Sequence, residues 1–108
     1  MITISVCMIV KDEEMVLERA LKSVERIADE IIIVDTGSTD RTKKIALKYT
    51  DKVYDFVWCD DFAKARNYSF SKATMDYCMW LDADDIISDS DQEGLINLKK
   101  TLSKDTSV

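Results

Sequence analysis

This chain has no histidine, only two glycines and three cysteines, and fewer basic residues than acidic ones. The missing histidine removes the usual zinc sites and every histidine-based acid, base or nucleophilic triad. Cys7, Cys59 and Cys78 are odd in number and lack C-x-x-C spacing. They read as reduced core or near-core thiols of a cytoplasmic protein, not as a disulfide framework. With Gly37 and Gly94 alone, neither a G-x-x-x-x-G-K-[ST] loop nor a G-x-G-x-x-G turn can be written, which excludes P-loop nucleoside triphosphatases and dinucleotide-dependent dehydrogenases. A formal net charge of -6 leaves no basic stripe to attract nucleic acid or an anionic membrane. No apolar run approaches the roughly 20 residues of a membrane span, and no basic leader precedes the apolar start Met1-Ile2-Thr3-Ile4. Membrane association is expected only through partners or through segments outside this sequence.

What is present is enough for one domain over residues 1–108, able to bury about two thirds of its unfolded surface. Residues 2–10 are almost continuously apolar and β-branched, which suits a strand covered on both faces. Asp12 then stands as a helix cap with Glu13 and Glu14 in the first turn, and Leu17, Ala20, Leu21, Val24 and Ile27 follow at helical spacing. A second buried strand, Ile31-Ile32-Ile33-Val34, runs into Asp35-Thr36-Gly37-Ser38-Thr39-Asp40, where Ser38 or Thr39 can cap a helix with Thr42, Ile45, Ala46 and Tyr49 inward. Residues 52–58 make a less apolar third strand, nearer an edge. Asp60 or Asp61 opens a helix in which Phe62, Arg66, Phe70 and Ala73 share a side. Residues 77–81 form a fourth strand, and Ser90 or Asp91 begins a last helix that buries Leu95, Leu98 and Leu102; residues 103–108 are polar and frayed. Strands alternating with helices predict an α/β fold, a three-layer sandwich around a mostly parallel sheet.

In such sheets ligands gather at the carboxyl ends of the strands. Here those ends carry Lys11-Asp12, Asp35-Thr36, Cys59-Asp60-Asp61 and Asp82-Ala83-Asp84-Asp85. If the backbone stays extended through Asp84, Asp82 and Asp84 point to one small volume, where a shared proton or a divalent cation such as Mg²⁺ or Mn²⁺ relieves their repulsion. The plainer reading of this D-x-D is an acidic turn that caps the following helix. Several of the strand-end acids are expected to be helix caps in any case.

Four segments in order resemble the family 2 glycosyltransferases of GT-A fold: Ile4-Ser5-Val6-Cys7-Met8-Ile9-Val10-Lys11-Asp12-Glu13, Ile33-Val34-Asp35-Thr36-Gly37-Ser38-Thr39-Asp40, Asp61-Phe62-Ala63-Lys64-Ala65-Arg66-Asn67 and Leu81-Asp82-Ala83-Asp84-Asp85. The second segment often carries two adjacent acids in that family; here Thr36 takes the second place. The resemblance implies a Rossmann-like nucleotide-binding half, with Val10, Asp35, Arg66 and Asp82 contacting a nucleotide-diphosphate sugar, a UDP-sugar first among them. Asp35 would receive the base or ribose, Arg66 the diphosphate or base edge, and Asp82 the ribose. Asp84 would hold the Mn²⁺ or Mg²⁺ that bridges the phosphates. The same residues have plainer readings, Asp35 as a turn residue and Arg66 as a solvated helix residue.

The family inverts the anomeric centre with a carboxylate base downstream of the D-x-D segment, so the base and the site for the unknown acceptor are expected beyond residue 108. On that reading the chain is a truncated donor-binding part, inactive alone, with a homodimer covering the surface that truncation exposes. A noncatalytic nucleotide-binding or assembly module is the nearest alternative. A phosphoacceptor receiver domain fits less well, lacking a fifth strand with its lysine, and a haloacid-dehalogenase phosphatase lacks the expected residues after its D-x-D.

Overall fold

A computed structural model describes residues 2–57, 61–83 and 87–101. Its elements run β1 (Ile4–Val10), α1 (Leu17–Val24), β2 (Glu30–Asp35), α2 (Thr42–Ala46), β3 (Val53–Asp55), α3 (Phe62–Lys72), β4 (Tyr77–Trp80) and α4 (Asp89–Thr101). The four strands form one sheet in the order β3-β2-β1-β4, and every pairing is parallel. The two inner strands are the most apolar stretches of the chain: β1 pairs with β2 from Ser5↔Glu30 to Val10↔Asp35. The third strand lies at an edge, as its mixed composition predicts, and is shorter than expected.

Side-chain alternation divides the sheet into two faces. Ile4, Val6, Met8 and Val10 of β1, with Ile31 and Ile33 of β2, pack against Leu17, Ala20, Leu21 and Val24 of α1 and Ala46 of α2 in one core, which Leu95 and Ile96 of α4 join. The opposite side of β1 and β2 is contacted by α3. That helix buries Ala65 and Ser69, two small residues at i, i+4 that allow its backbone to approach closely. The helix layers follow from the topology. The chain steps one way through β1, β2 and β3, then returns past them to β4, so the connection that reverses direction crosses on the other face.

Near the amino ends of the strands the sheet is pinned by a buried carboxylate. Glu30, 5% exposed, accepts hydrogen bonds from Ser5 Oγ, Thr74 N, Thr74 Oγ1 and Lys52 Nζ. It ties β1, β2, the approach to β3 and the α3–β4 turn to one group. Desolvation raises its pKa, but the Lys52 contact and the other donors outweigh that and hold it at about 2.

Three helix starts differ from expectation. α1 begins at Leu17 rather than just after Asp12: residues 14–16 are turns ahead of it, and the amides of Glu13 and Glu14 donate to Thr42 Oγ1 and Asp40 Oδ2 of the neighbouring loop. α2 is headed by Asp40, whose Oδ1 accepts from Thr42 N, rather than by Ser38 or Thr39. α4 starts at Asp89, and the capping acceptor is Ser88, whose Oγ receives the Asp91 amide. Its inward face also differs: Leu98 is 48% exposed, whereas Gln92 and Lys99 are buried. Lys99 reaches back to donate to Ile27 O and Asp29 Oδ2, which turns Leu98 outward. Leu102 lies outside the described residues.

Of the thiols, Cys7 is free and buried, as expected, but Cys78 is exposed, because β4 forms the sheet edge. Cys59 lies outside the described residues. Among the described residues no helix is long and apolar enough to cross a membrane.

Candidate nucleotide site at the carboxyl rim

Asp35 is the last residue of β2 and is 3% exposed. One carboxylate oxygen serves the turn: Oδ1 accepts from Gly37 N and Ser38 N, both at 2.8 Å. Gly37 has φ +112°, a conformation in which a side chain is strained. The other oxygen, Oδ2, is buried with no hydrogen-bond partner. Turn residue and ligand acceptor are therefore compatible readings of one side chain, one oxygen for each. An unpartnered buried acceptor costs about 1–3 kcal/mol, a cost that a ligand N–H or O–H would remove.

Beside Asp35, the β1 and β2 loops are stitched together. Thr36 donates through N and Oγ1 to Val10 O, so Val10 contributes its carbonyl to the rim while its side chain stays in the core. Asp12 has φ 52°; its amide donates to Ser38 Oγ and its Oδ1 accepts from Thr39 N at 2.7 Å. It is thus a loop clasp, not the helix cap its position implied. Glu14 Oε2 accepts from Arg41 N, and the amides of Glu13 and Glu14 complete the seam. Thr36, where a second acid was the alternative, is buried.

A cavity of about 250 Å³ opens at this rim, lined by Ile9, Val10, Lys11, Glu13, Thr36 and Phe62. A larger one of about 540 Å³ lies at the opposite end of the sheet, beside Glu30 and Lys52. The carboxylate there is already saturated by protein donors; the smaller cavity, lined by Val10 and Thr36, the pairing and chain neighbours of Asp35, is the better candidate.

Phe62 belongs to the first turn of α3, where the Asp61 side chain accepts from Lys64 N. Phe62, Arg66 and Phe70 recur every four residues and face β4. The rings of Phe62 and Phe70 meet Trp80 edge-on at 5.8 and 5.9 Å. The Arg66 guanidinium sits 4.7 Å from the Trp80 ring centre and 5.5 Å from that of Phe62. Arg66 is exposed overall, but its charged head is stacked, so it is neither buried nor a freely solvated helix residue. Asp82 is also exposed, and its Oδ1 accepts from Trp80 Nε1 at 3.1 Å.

Asp84 and Asp85 lie outside the described residues, as does Asp60. Among the described residues no group of three or more acidic or cysteine side chains could hold a metal ion. Of the D-x-D pair only Asp82 is placed, and no step of chemistry is drawn through a cation here. Sequence reasoning missed Trp80, which it counted only as apolar strand, and Asp12 as a clasp. An aromatic two residues before a strand-end acid was the available signal for the first.

An all-parallel sheet between helix layers defines an α/β protein of the Rossmann-like kind, a class in which ligands gather at the carboxyl rim. The chain belongs to Glycosyl transferase family 2, whose family model matches residues 5–108. It is 47% identical over 85 residues to a TPR repeat-containing protein of Synechococcus elongatus, a match covering 79% of this chain and 21% of that protein. It is 36% identical over 90 residues to an uncharacterized glycosyltransferase of Rickettsia typhi, covering 83% of this chain and 30% of the relative. The chain therefore spans less than a third of these relatives' lengths.

Among solved structures, it is similar to S. aureus TarS 1-349, with a TM-score of 0.75, 26% identity, and coverage of 89% of this chain and 31% of that one. It also resembles Mycobacterium tuberculosis glucosyl-3-phosphoglycerate synthase in complex with Mg²⁺ and uridine diphosphate, with a TM-score of 0.67, 26% identity, and coverage of 79% and 34%. The same synthase has been crystallised with Mn²⁺ and UDP-glucose. The GT-A fold follows from these matches.

Proposed function

We infer that residues 1–108 are the donor-binding part of a glycosyltransferase that moves a sugar from a nucleotide-diphosphate sugar, a UDP-sugar first among candidates, to an acceptor bound elsewhere. The observation that carries this reading is the buried, unpartnered Asp35 Oδ2 beside an open cavity at the carboxyl rim. In this reading that oxygen receives an N–H of the base or a ribose hydroxyl. Val10 and Thr36 border the base, Arg66 meets the diphosphate with a planar cation, and Asp82 takes the ribose.

The D-x-D segment, with Asp84 as ligand, is where Mn²⁺ or Mg²⁺ would bind; the cation would neutralise charge on the departing nucleotide diphosphate. The relatives' complexes with these ions support that expectation. Transfer with inversion, the mode of the family, needs a carboxylate base, which is assigned to none of these residues.

Calorimetry with UDP, GDP and dTDP, each with and without Mn²⁺, tests the reading. One nucleotide should bind preferentially and more tightly with the ion. Asp35→Asn keeps an oxygen for the Gly37 and Ser38 amides but puts an amide where the free acceptor was; it should weaken that nucleotide at least about tenfold. Equal indifference to all three nucleotides would refute the assignment.

A further inference from the structure

The donor-site reading leaves Trp80 without a role, yet this side chain touches two of the residues that reading uses. Its ring stacks on the Arg66 guanidinium at 4.7 Å, and its indole N–H donates to Asp82 Oδ1 at 3.1 Å. Phe62, which lines the rim cavity, contacts the same ring and lies under the same guanidinium.

We propose that Trp80 is a positioning residue of the donor site, one indole that orients Arg66 through its face and Asp82 through its edge. The proposal rests on the donor-site reading and deepens it.

The physical case is one of order. Arg66 and Asp82 are both exposed, and among the described contacts neither is held by an ion pair. A long arginine side chain in solvent samples many rotamers, and fixing it on binding costs about 0.5–1.5 kcal/mol. Stacking over an aromatic face restricts it beforehand while leaving its N–H edge free for an anion. The indole N–H, a donor only, fixes one carboxylate oxygen of Asp82 and leaves the second for a ligand. A direct Arg66–Asp82 ion pair would cancel the charge each brings to the donor; among the described contacts both meet Trp80 and not each other.

The test compares UDP with uridine by NMR titration of the wild-type chain, Trp80→Leu, Trp80→Phe and Arg66→Leu, with GDP/guanosine and dTDP/thymidine run in parallel. Arg66 serves the diphosphate and Asp82 the ribose, so Trp80→Leu should lose about five- to tenfold in UDP affinity and about two- to threefold in uridine affinity, whereas Arg66→Leu should spare uridine. Trp80→Phe keeps a ring face and should recover part of the loss. Combining Trp80→Leu with Arg66→Leu should cost less than the sum of the two, because the Arg66 part of the Trp80 loss is removed only once.

A ligand-free reading accompanies these. The Trp80 indole N–H resonance should shift in Asp82→Ala, which removes the acceptor of its hydrogen bond. Should Trp80→Leu fail to fold, Trp80→Phe and the indole resonance in Asp82→Ala decide the matter. Equal loss of nucleoside and diphosphate, full additivity with Arg66→Leu, or an indole resonance indifferent to Asp82 would each overturn the proposal. A wild-type chain that binds no nucleotide at all would overturn the donor-site reading and take this proposal with it; nucleotide binding with an unchanged preference in Trp80→Leu overturns this proposal alone.

Discussion

Two buried groups show how neighbours decide what a residue type can do. Cys7 has no exposed surface, and burial pushes its thiol up to about 11, so almost no thiolate exists at pH 8. Alkylation followed by peptide mass spectrometry should therefore modify exposed Cys78 rapidly and Cys7 only after denaturation. Glu30 goes the other way: its charged form is the favoured one, at about 2 against an ordinary 4.5. The charge thus stabilises the fold above pH 4.5, and that contribution fades as pH falls towards 2. A shift of this size corresponds to about 3 kcal/mol. Glu30→Gln should lower stability at pH 7 in urea melts and flatten the acid limb of the stability profile. Nothing in the sequence around Glu30 announced this role, because its partners Ser5, Lys52 and Thr74 come from distant segments. Asp35 was legible, since a strand running into D-T-G-S has few uses for its acid. That its two oxygens divide the work was not, because only the folded turn aims Gly37 and Ser38 at one of them.

At the scale of elements, periodicity served where one face of a segment meets the core and failed where tertiary contacts reassign it. The stripe Leu17, Ala20, Leu21, Val24 lies buried as its spacing requires. Around α4 the same logic placed Leu98 inward, but Lys99 took the buried position because its ammonium finds Ile27 O and Asp29 Oδ2 at the far end of the sheet. Lys99→Ala should leave those acceptors short of a donor and destabilise the chain by about 1–3 kcal/mol in a denaturant titration. The α4 amides should then lose hydrogen-exchange protection first, because Ile2 N–Lys99 O is a backbone tie between that helix and the chain ahead of β1. The carboxyl ends of the strands carry the unpartnered Asp35 oxygen and the rim cavity. The early start assigned to α1 differs from the structure, in which residues 14–16 are turns ahead of Leu17, closed by bonds from the Val16 and Leu17 amides to Glu13 O.

For the whole molecule, the net charge of -6 opposes a diphosphate at any distance that salt does not screen. In the absence of divalent ions, UDP affinity should therefore rise as KCl is increased from about 20 to 200 mM, the range over which the screening length falls towards 8 Å. With Mn²⁺ present the dependence should shrink or reverse. An affinity that falls with salt under both conditions would mean that local cations such as Lys11 and Arg66 dominate over the global field. The order of acids and helices was readable across the whole chain because an all-parallel sheet imposes it. The positions of the two cavities were not, since both are lined by residues from distant segments.

The seam between the β1 and β2 loops bears on how the site fills. Five of its amides, at Asp12, Glu13, Glu14, Thr39 and Arg41, donate to side chains of the facing loop, so neither loop can fray without undoing the other. A guest arriving beside Asp35 meets a floor already assembled, and little chain entropy remains to be surrendered on its arrival. Association there should be quick and carry a modest entropic penalty, with any slow closure left to parts of the protein that lie elsewhere along its length.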